Sequence, residues 1–533
     1  MSIKIHQKLI KAQNLINQGD FTVAINLLNN ILENSPLNID CLMLKAEVLL
    51  RLELFADALH EYATIVQLAP KNITALNNFS LALIRNSKYS DALEIINYVL
   101  EIDPSNFAAH INSCSVYQAL REYQQALNAS LKAIGIDPNS AVAYLNLGTA
   151  LAFQDREEDA RQAYLLASTL DPKDILIKIN LAQLEERGGD RKSAIKIYEE
   201  ILNLSLTTTQ TELIKFYLSF NYLYFGDLIK GWDYYDYGFS PILPSTSIRS
   251  IRKFHQPRWT GSVNTKQKIL IWREQGLGDE ILFATCLPDL YDLNLNVILE
   301  CEPRLVNIYK RRFPKWEIRS EYVDNDGYPI VCDFDIHYPL GSLPRIFRRQ
   351  LSDFTKQRET LFSPDTLLKD KYLKLLEPYK NKIKVGISWR GGFLNAIRNK
   401  NYTSLLDWED ILKNDNCIFV NLQYGECEQE ICEVEDKFNI KIIRWDHLDL
   451  KNDIESLIAL ISNLDHVVTV GTAVSTISAS AGVHTILLTV RNWLLLGSEI
   501  EFPWFRNLRP LIAETGEMVA SKIVDVPLYL IKQ

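Results

Sequence analysis

The sequence predicts two architectures in one chain: a superhelix of paired helices over residues 1–240, then an α/β half made of two lobes. Three observations predict it. Prolines return every 34 residues through the first third of the chain. After residue 265, short β-prone runs alternate with helical patterns, the mark of parallel sheets. Glycine-containing junctions join strand to helix in both parts of that α/β region.

The helical half comes first. Pro36, Pro70, Pro104, Pro138 and Pro172 share one phase, and a proline there ends the second helix of a pair. In the same phase stand Ala24, Ala58, Ala92, Ala126, Ala160 and Ala194. A second small slot holds Ala12, Ala46, Ser80, Cys114, Gly148 and Ala182. Small side chains at both slots let paired helices approach closely. These residues resemble the tetratricopeptide repeat, a helix–turn–helix unit that stacks into a superhelix. Six units cover about 5–206, and a degenerate seventh follows at about 212–240. Its small slots, Ser219 and Gly231, fall in phase once three residues are inserted around Thr207–Gln210. On the helices expected to face the groove, Asn78, Asn112, Asn146 and Asn180 recur at one slot, where the first two units have Ile10 and Leu44. Such an amide ladder can hold the backbone of an extended protein segment. It is equally a consensus residue of the repeat.

A linker is expected at 241–265, then a first lobe at 266–380 and a second at 381–533. Expected strands are 268–272, 296–300 and 331–336 in the first lobe. In the second they are 383–388, 417–422, 440–444, 466–470 and 485–490. Helices are expected at 279–291, 364–378, 404–413, 426–437, 452–463 and 473–481. Ligand loops of such sheets gather at the carboxyl ends of the strands.

Three of those loops carry suitable chemistry. In "KILIWREQGLGDEILFATCLPDL", Gly276 and Gly278 free the backbone to turn, and Asp279 falls where a helix N-cap belongs. The loop after 383–388 holds Arg390, two glycines, Arg398 and Lys400, cations suited to a diphosphate or simply solvated. The third, "VTVGTAVSTISASAG", places Gly471, Thr472, Ser475 and Thr476 at a helix start, as an anion seat or as plain caps.

The remaining composition excludes whole classes. A net charge of −9 argues against a nucleic-acid binder, and the basic run Lys310-Arg311-Arg312 reads as a solvated helix end. Eight cysteines lie without CxxC pairs, as reduced, mostly core thiols of a cytoplasmic protein do. The start "MSIKIHQKLIKAQNLI" lacks a signal-type apolar run, and the apolar stretch 466–490 is too interrupted to span a membrane.

The whole chain resembles bacterial tetratricopeptide-repeat glycosyltransferases with a GT-B-type, heptosyltransferase-like half of two Rossmann-like lobes. It is more distantly similar to protein O-linked N-acetylglucosamine transferase. The resemblance rests on "GDLIKGWDYYDYG", "PRWTGS", "KILIWREQGLGDEILFATCLP", "DIHYPLGSLP", "VGISWRGG", "FVNLQYG", "IESLIALISNLDHVVTVGTAVS" and "WLLLGSEIEFPWF", in family order. It implies a first lobe that holds the acceptor, a second that holds a nucleotide-sugar donor, and no metal or other cofactor. It implies Asp279 as general base, with helix capping as the rival role, and Arg390 on the diphosphate. Gln423 to Gly425 would form a nucleotide-side loop, and His337 would be a second base candidate near the acceptor. The chain departs where the family has "DTAVAH": Gly471 replaces the acid and Thr476 the histidine. This version looks closer to flagellin-modifying members, whose donors carry a nucleoside monophosphate. The expectation is transfer of a sugar to a hydroxyl of a protein recruited by the repeats; the alternative is a non-catalytic scaffold with a degenerate α/β half.

Overall fold

The computed structural model describes residues 2–239, 252–324, 327–355, 360–391, 401–514 and 517–530. Contacts divide the chain into two compact units, Met1–Ile197 and Tyr198–Gln533.

The first unit is a stack of helix pairs, beginning with Ser2–Gln18 and Phe21–Asn34 and reaching Ile175–Arg187 and Arg191–Leu202. The expected small slots are where the pairs close. Ala12, Ala24, Ala46, Ala58, Ser80, Ala92, Cys114, Ala126, Ala160, Ala182 and Ala194 have no solvent exposure. A side chain at Gly148 would stand 2.6 Å from the Tyr164 ring. Two further periodic devices went unread in the sequence. Asn38, Asn72, Asn106, Ser140 and Asp174 each cap the first helix of a pair, their side chains accepting a backbone N–H. The turn inside each pair needs one residue in the left-handed region: Gly19, Glu53, Ser87, Arg121, Asp155 and Gly189 supply it. Glycine fills only the first and last of these six positions, so four turns carry a residue that disfavours its own backbone.

The second unit begins earlier than the expected boundary at 240. Its helices Thr208–Tyr224 and Leu228–Tyr235 are the degenerate seventh repeat, with Ser219 fully buried and Gly231 placed so that a side chain there would stand 2.5 Å from Leu223. The reason is aromatic packing. Trp232 lies edge-on to Tyr235, Phe283, Trp493 and Trp504 at 5.7–6.5 Å. The runs around 220–238 and 493–505 are therefore two sides of one core. Gly226 and Gly497 complete it, with the position for a Gly497 side chain only 2.9 Å from the Gly226 backbone.

The first sheet has β1 Ile269–Trp272, β2 Val297–Cys301, β3 Glu317–Ser320 and β4 Ile336–Pro339, all parallel in the order β3-β2-β1-β4. Strands β1 and β2 are buried on both faces, as parallel strands between covering layers are. The strand expected at 331–336 starts only at Ile336. Residue Asp333 turns outward to pair with Arg319 and Lys268 instead. Strand β3 was missed because "EIRS" is a short charged edge strand. Of the expected linker, 241–251 lie outside the described residues. The rest is not a linker: Arg258 bridges to His337 of β4, and Trp259 is buried.

The second sheet has β5 Ile383–Ser388, β6 Cys417–Asn421, β7 Ile442–Ile443, β8 His466–Val470, β9 His484–Val490 and β10 Leu508–Ala513. They are parallel in the order β10-β9-β8-β5-β6-β7, so the chain reverses direction of travel between β5 and β8. The unexpected β10 carries Pro510, tolerable on an edge strand. The connecting helices expected at 364–378, 426–437, 452–463 and 473–481 appear as Thr366–Leu376, Glu428–Phe438, Ile454–Ile461 and Ala473–Ser480.

Candidate functional site

The two strand–glycine–helix junctions meet. After β1 the chain runs through Arg273–Gln275 into helix Leu277–Phe283; after β8 it runs through Gly471 into helix Ala473–Ser480. A side chain on Gly278 would stand 3.4 Å from the Ala473 Cα, so the missing side chain allows this close approach. The carboxyl edges of the two sheets are thereby brought face to face.

Asp279 sits at this meeting point, but not as a cap. Gly276 is the N-cap, with extended backbone and no side-chain cap bond, and Asp279 lies in the first turn. Among the described residues no hydrogen bond or ion pair reaches the Asp279 carboxylate. Its desolvation, aided by the negative charge of Glu274, pushes its pKa up to about 6. An aspartate so placed takes up a proton near neutrality, which an exposed one does not. The adjacent basic group is already engaged elsewhere: Arg273 binds Glu280 at 2.8 Å and Glu302 at 3.1 Å.

At the facing junction, Gly471 borders open space, with no atom within 4 Å of where its side chain would be. Thr472 caps the helix by accepting the Val474 N–H at 3.3 Å. Ser475 and Thr476 hydroxyls donate to the Thr472 and Ala473 carbonyls at 2.7 and 3.1 Å. These hydroxyls serve the helix start; what they leave open to a ligand is the glycine side of the turn.

The loop after β5 differs from expectation. Arg390 is not a free cation: its guanidinium binds Glu430 through Nε at 2.9 Å and through Nη2, and Nη2 also donates to the Glu426 carbonyl at 2.7 Å. Trp389 Nε1 donates to the same carboxylate at 2.6 Å. Arg398 and Lys400 lie outside the described residues. Gln423 is buried, its amide oxygen accepting from Ser388 Oγ and from the Trp389 and Arg390 N–H groups at 3.1–3.2 Å. It fastens the carboxyl end of β6 to that of β5. Beside it opens a cavity of about 730 Å³ at the carboxyl ends of β6 and β7, walled by Tyr424, Glu426, Glu430, Arg444, Trp445 and Lys451 among others. Glu274 and Glu430 were not singled out in the sequence; each is one more acid among many until the fold places it.

His337 is not brought to Asp279. It lies in β4, its ring stacked on Phe254 at 3.7 Å, with Nδ1 accepting the Trp272 indole N–H at 3.2 Å. Burial, with Arg258 and Arg252 nearby, lowers its pKa to about 4, so it is neutral at pH 7. The basic run at 310–312 is also not merely solvated: Arg311 forms a two-pronged pair with Glu455 at 2.7 and 3.2 Å.

The asparagine ladder is half-buried. Asn112 donates to the Asn77 carbonyl at 3.1 Å and to Ser80 Oγ at 2.9 Å in the preceding repeat. Asn180 donates back to the Leu176 carbonyl at 2.8 Å. For Asn78 and Asn146, the half-buried setting leaves part of the side chain open. The ladder is thus partly a repeat-to-repeat fastener.

Comparison with known proteins matches the tetratricopeptide repeat at residues 11–73, 45–107 and 141–174. The chain is 29% identical over 313 residues to protein FlbA of Caulobacter vibrioides, covering 54% of this chain. It spans about half, 50%, of that relative's length. The aligned stretch is longer than the repeat region, so the likeness extends into the α/β half. Among solved structures it is similar to a tetratricopeptide repeat protein of Parabacteroides merdae, at 18% identity and TM-score 0.38, covering 43% of this chain and 90% of that one. MamA of Desulfovibrio magneticus matches at 23% identity and TM-score 0.27, over 34% and 94% respectively. The chain therefore carries tetratricopeptide repeats, a scaffold for protein–protein interaction. Among the described residues no helix is long and apolar enough to cross a membrane.

Proposed function

We propose that the chain is a cytoplasmic glycosyltransferase of GT-B type that moves a sugar from a nucleotide donor to a hydroxyl of a protein recruited by the repeats. Both sheets of the second half are read as Rossmann-like lobes, the second with its ligand crevice at the β5/β8 reversal. The observation that carries the reading is Asp279: a desolvated carboxylate where two strand–glycine–helix junctions face each other. In the proposed step its carboxylate takes the proton of the acceptor hydroxyl. The acceptor oxygen bonds to the anomeric carbon, and the sugar–phosphate C–O bond breaks with its electron pair leaving on phosphate.

The donor phosphate is assigned to the open side of Gly471 and the backbone of Thr472. The nucleoside is assigned to the cavity beside Gln423 and Tyr424. Arg390 would contact the phosphate only after exchanging Glu430 for it. This arrangement makes no use of metal. A flagellin-like surface protein is the acceptor suggested by resemblance.

The test is binding. CMP-, UDP-, ADP- and GDP-sugars are screened by thermal shift and confirmed by calorimetry. A true donor at about a hundredfold its Kd stabilises by about 2.7 kcal/mol. If none of them binds the folded protein, the donor site is absent and the chain is a repeat scaffold.

A further inference from the structure

A chain of hydrogen-bonded charges runs from the cavity beside Gln423 to the helix that carries Asp279. Lys451 walls that cavity, and its backbone carbonyl accepts from Arg304 Nη1 at 2.6 Å. Arg304 belongs to the other lobe, in the turn Pro303–Leu305 that follows β2. Its Nε donates to Glu302 Oε1 at 2.7 Å. The second Glu302 oxygen binds Arg273 Nη2 at 3.1 Å, and Arg273 Nε donates to Glu280 Oε2 at 2.8 Å. The Glu302 N–H also donates to both Glu280 oxygens, at 3.1 and 3.2 Å, so Glu302 and Glu280 are held together twice. Glu280 is buried and stands next to Asp279 on helix Leu277–Phe283.

Each charged link is used on two sides. Arg304 holds a carbonyl and a carboxylate, Glu302 holds two arginines, and Arg273 holds Glu302 and Glu280. A guanidinium has its donors fixed in one plane, so moving one partner misaligns the other. The side chains of Arg304, Arg273 and Glu302 are 29, 21 and 14% exposed and that of Glu280 is 0% exposed. Salt screens such a chain less than a surface pair. A neighbouring contact between the same two lobes ends differently. Arg311, on helix Val306–Arg312, forks onto Glu455 just past the cavity wall and donates to the Ser363 carbonyl. Those bonds lead away from Glu280.

We propose that Arg304 and Glu302 couple the cavity wall to the turn that carries Asp279. A shift of the backbone at Lys451 is passed through Arg304, Glu302 and Arg273 to Glu280, and so to the start of the helix. Arg304 is thus a positioning residue that acts through others. Its purpose, making a nucleotide in the cavity felt at the carboxylate that takes the acceptor proton, rests on the transferase reading; its existence does not. The coupling is reciprocal, so whatever fixes the Asp279 turn also fixes the wall.

The test is amide hydrogen exchange of the full-length protein without ligand, which reports local opening. Two segments are followed, 277–283 and 446–453. Arg304→Ala speeds exchange in both by about fivefold or more, the lower end of an ordinary coupling. Glu302→Gln does the same, and the double variant adds little, because both cut one chain. Arg311→Ala leaves 277–283 unchanged. Should Arg304→Ala not fold, Arg304→Lys takes its place: the ammonium keeps the charge but cannot hold carbonyl and carboxylate in one plane. Unchanged exchange at 277–283 in the Arg304 and Glu302 variants overturns the proposal. Equal speeding there by Arg311→Ala also overturns it, since the lobes would then be loosening as a whole.

The same segments are then followed with CMP, UDP, ADP or GDP. A nucleotide that binds slows both segments in the wild type, but only 446–453 in Arg304→Ala. If none binds while the ligand-free pattern holds, the transferase reading falls and the coupling stands. If one binds and the ligand-free pattern fails, the coupling alone falls.

Discussion

Asp279 shows what a single residue contributes. The family-like motif marks it, but its chemistry comes from desolvation and from Glu274. Its folded pKa is about 6 against 3.8 for the ordinary group, so the folded protein holds the extra proton between about pH 4 and pH 6. Wild type therefore loses stability as pH rises through that window, and a neutral side chain does not. We predict that Asp279→Asn raises stability at pH 8 by about 1–3 kcal/mol, with the gain vanishing near pH 4. Turnover on the proposed reaction falls about 10²–10⁴-fold in the same variant. Denaturation across pH and a transfer assay read the two effects separately; unchanged stability at pH 8 would show that Asp279 is well solvated. Glu280 behaves alike, since burial raises it to about 7. His337 works in the opposite sense: its lowered pKa means stability is lost as pH falls from about 6.5 towards 4. On acidification its loss runs against the gain from the two carboxylates over much the same window.

At the scale of the element, the repeats show how far periodicity goes. The 34-residue phase of alanine and proline made the helix pairs legible, because close packing admits only small side chains at fixed slots. The turn residues were not legible, since Glu53, Ser87, Arg121 and Asp155 share no chemistry. Their common feature is backbone conformation. We predict that Arg121→Gly stabilises the repeat array by about 0.5–1 kcal/mol, because glycine carries no left-handed penalty. A lowered thermal midpoint for this variant would contradict it. The asparagine ladder makes the reverse point. A shared slot suggested four groove amides of equal role, yet Asn112 reaches into the preceding repeat. Asn112→Ala is expected to cost about 1–2 kcal/mol of array stability, since two hydrogen bonds go. If instead it leaves the melting curve untouched while acceptor pull-down fails, the ladder serves the partner and not the packing. Short edge strands mark the limit of legibility here: "EIRS" of β3 lacks the apolar run that betrayed β1 and β2.

At the scale of the molecule, the site is an encounter between parts far apart in sequence. Gly278 and Ala473 touch because two parallel sheets turn their carboxyl edges to each other. Gly278→Val, forced against the Ala473 backbone, is expected to lower stability by about 1–3 kcal/mol and to weaken donor binding together with it. A normal midpoint and normal nucleotide affinity would mean that the junctions can move apart freely. The seventh repeat belongs with the α/β half for a similar reason, since Trp232 finds its aromatic partners at 283, 493 and 504. By itself the sequence determined whatever follows from local spacing: the repeat phase, the buried strands, the glycine turns and the acid beside one of them. Only the tertiary structure decided how those acids and bases are spent. Arg390 is tied to Glu430, His337 to the Trp272 indole, and Gln423 to the neighbouring loop. Spacing along a chain reports which groups a turn presents, whereas charge pairing and desolvation depend on what another segment brings within a few ångströms.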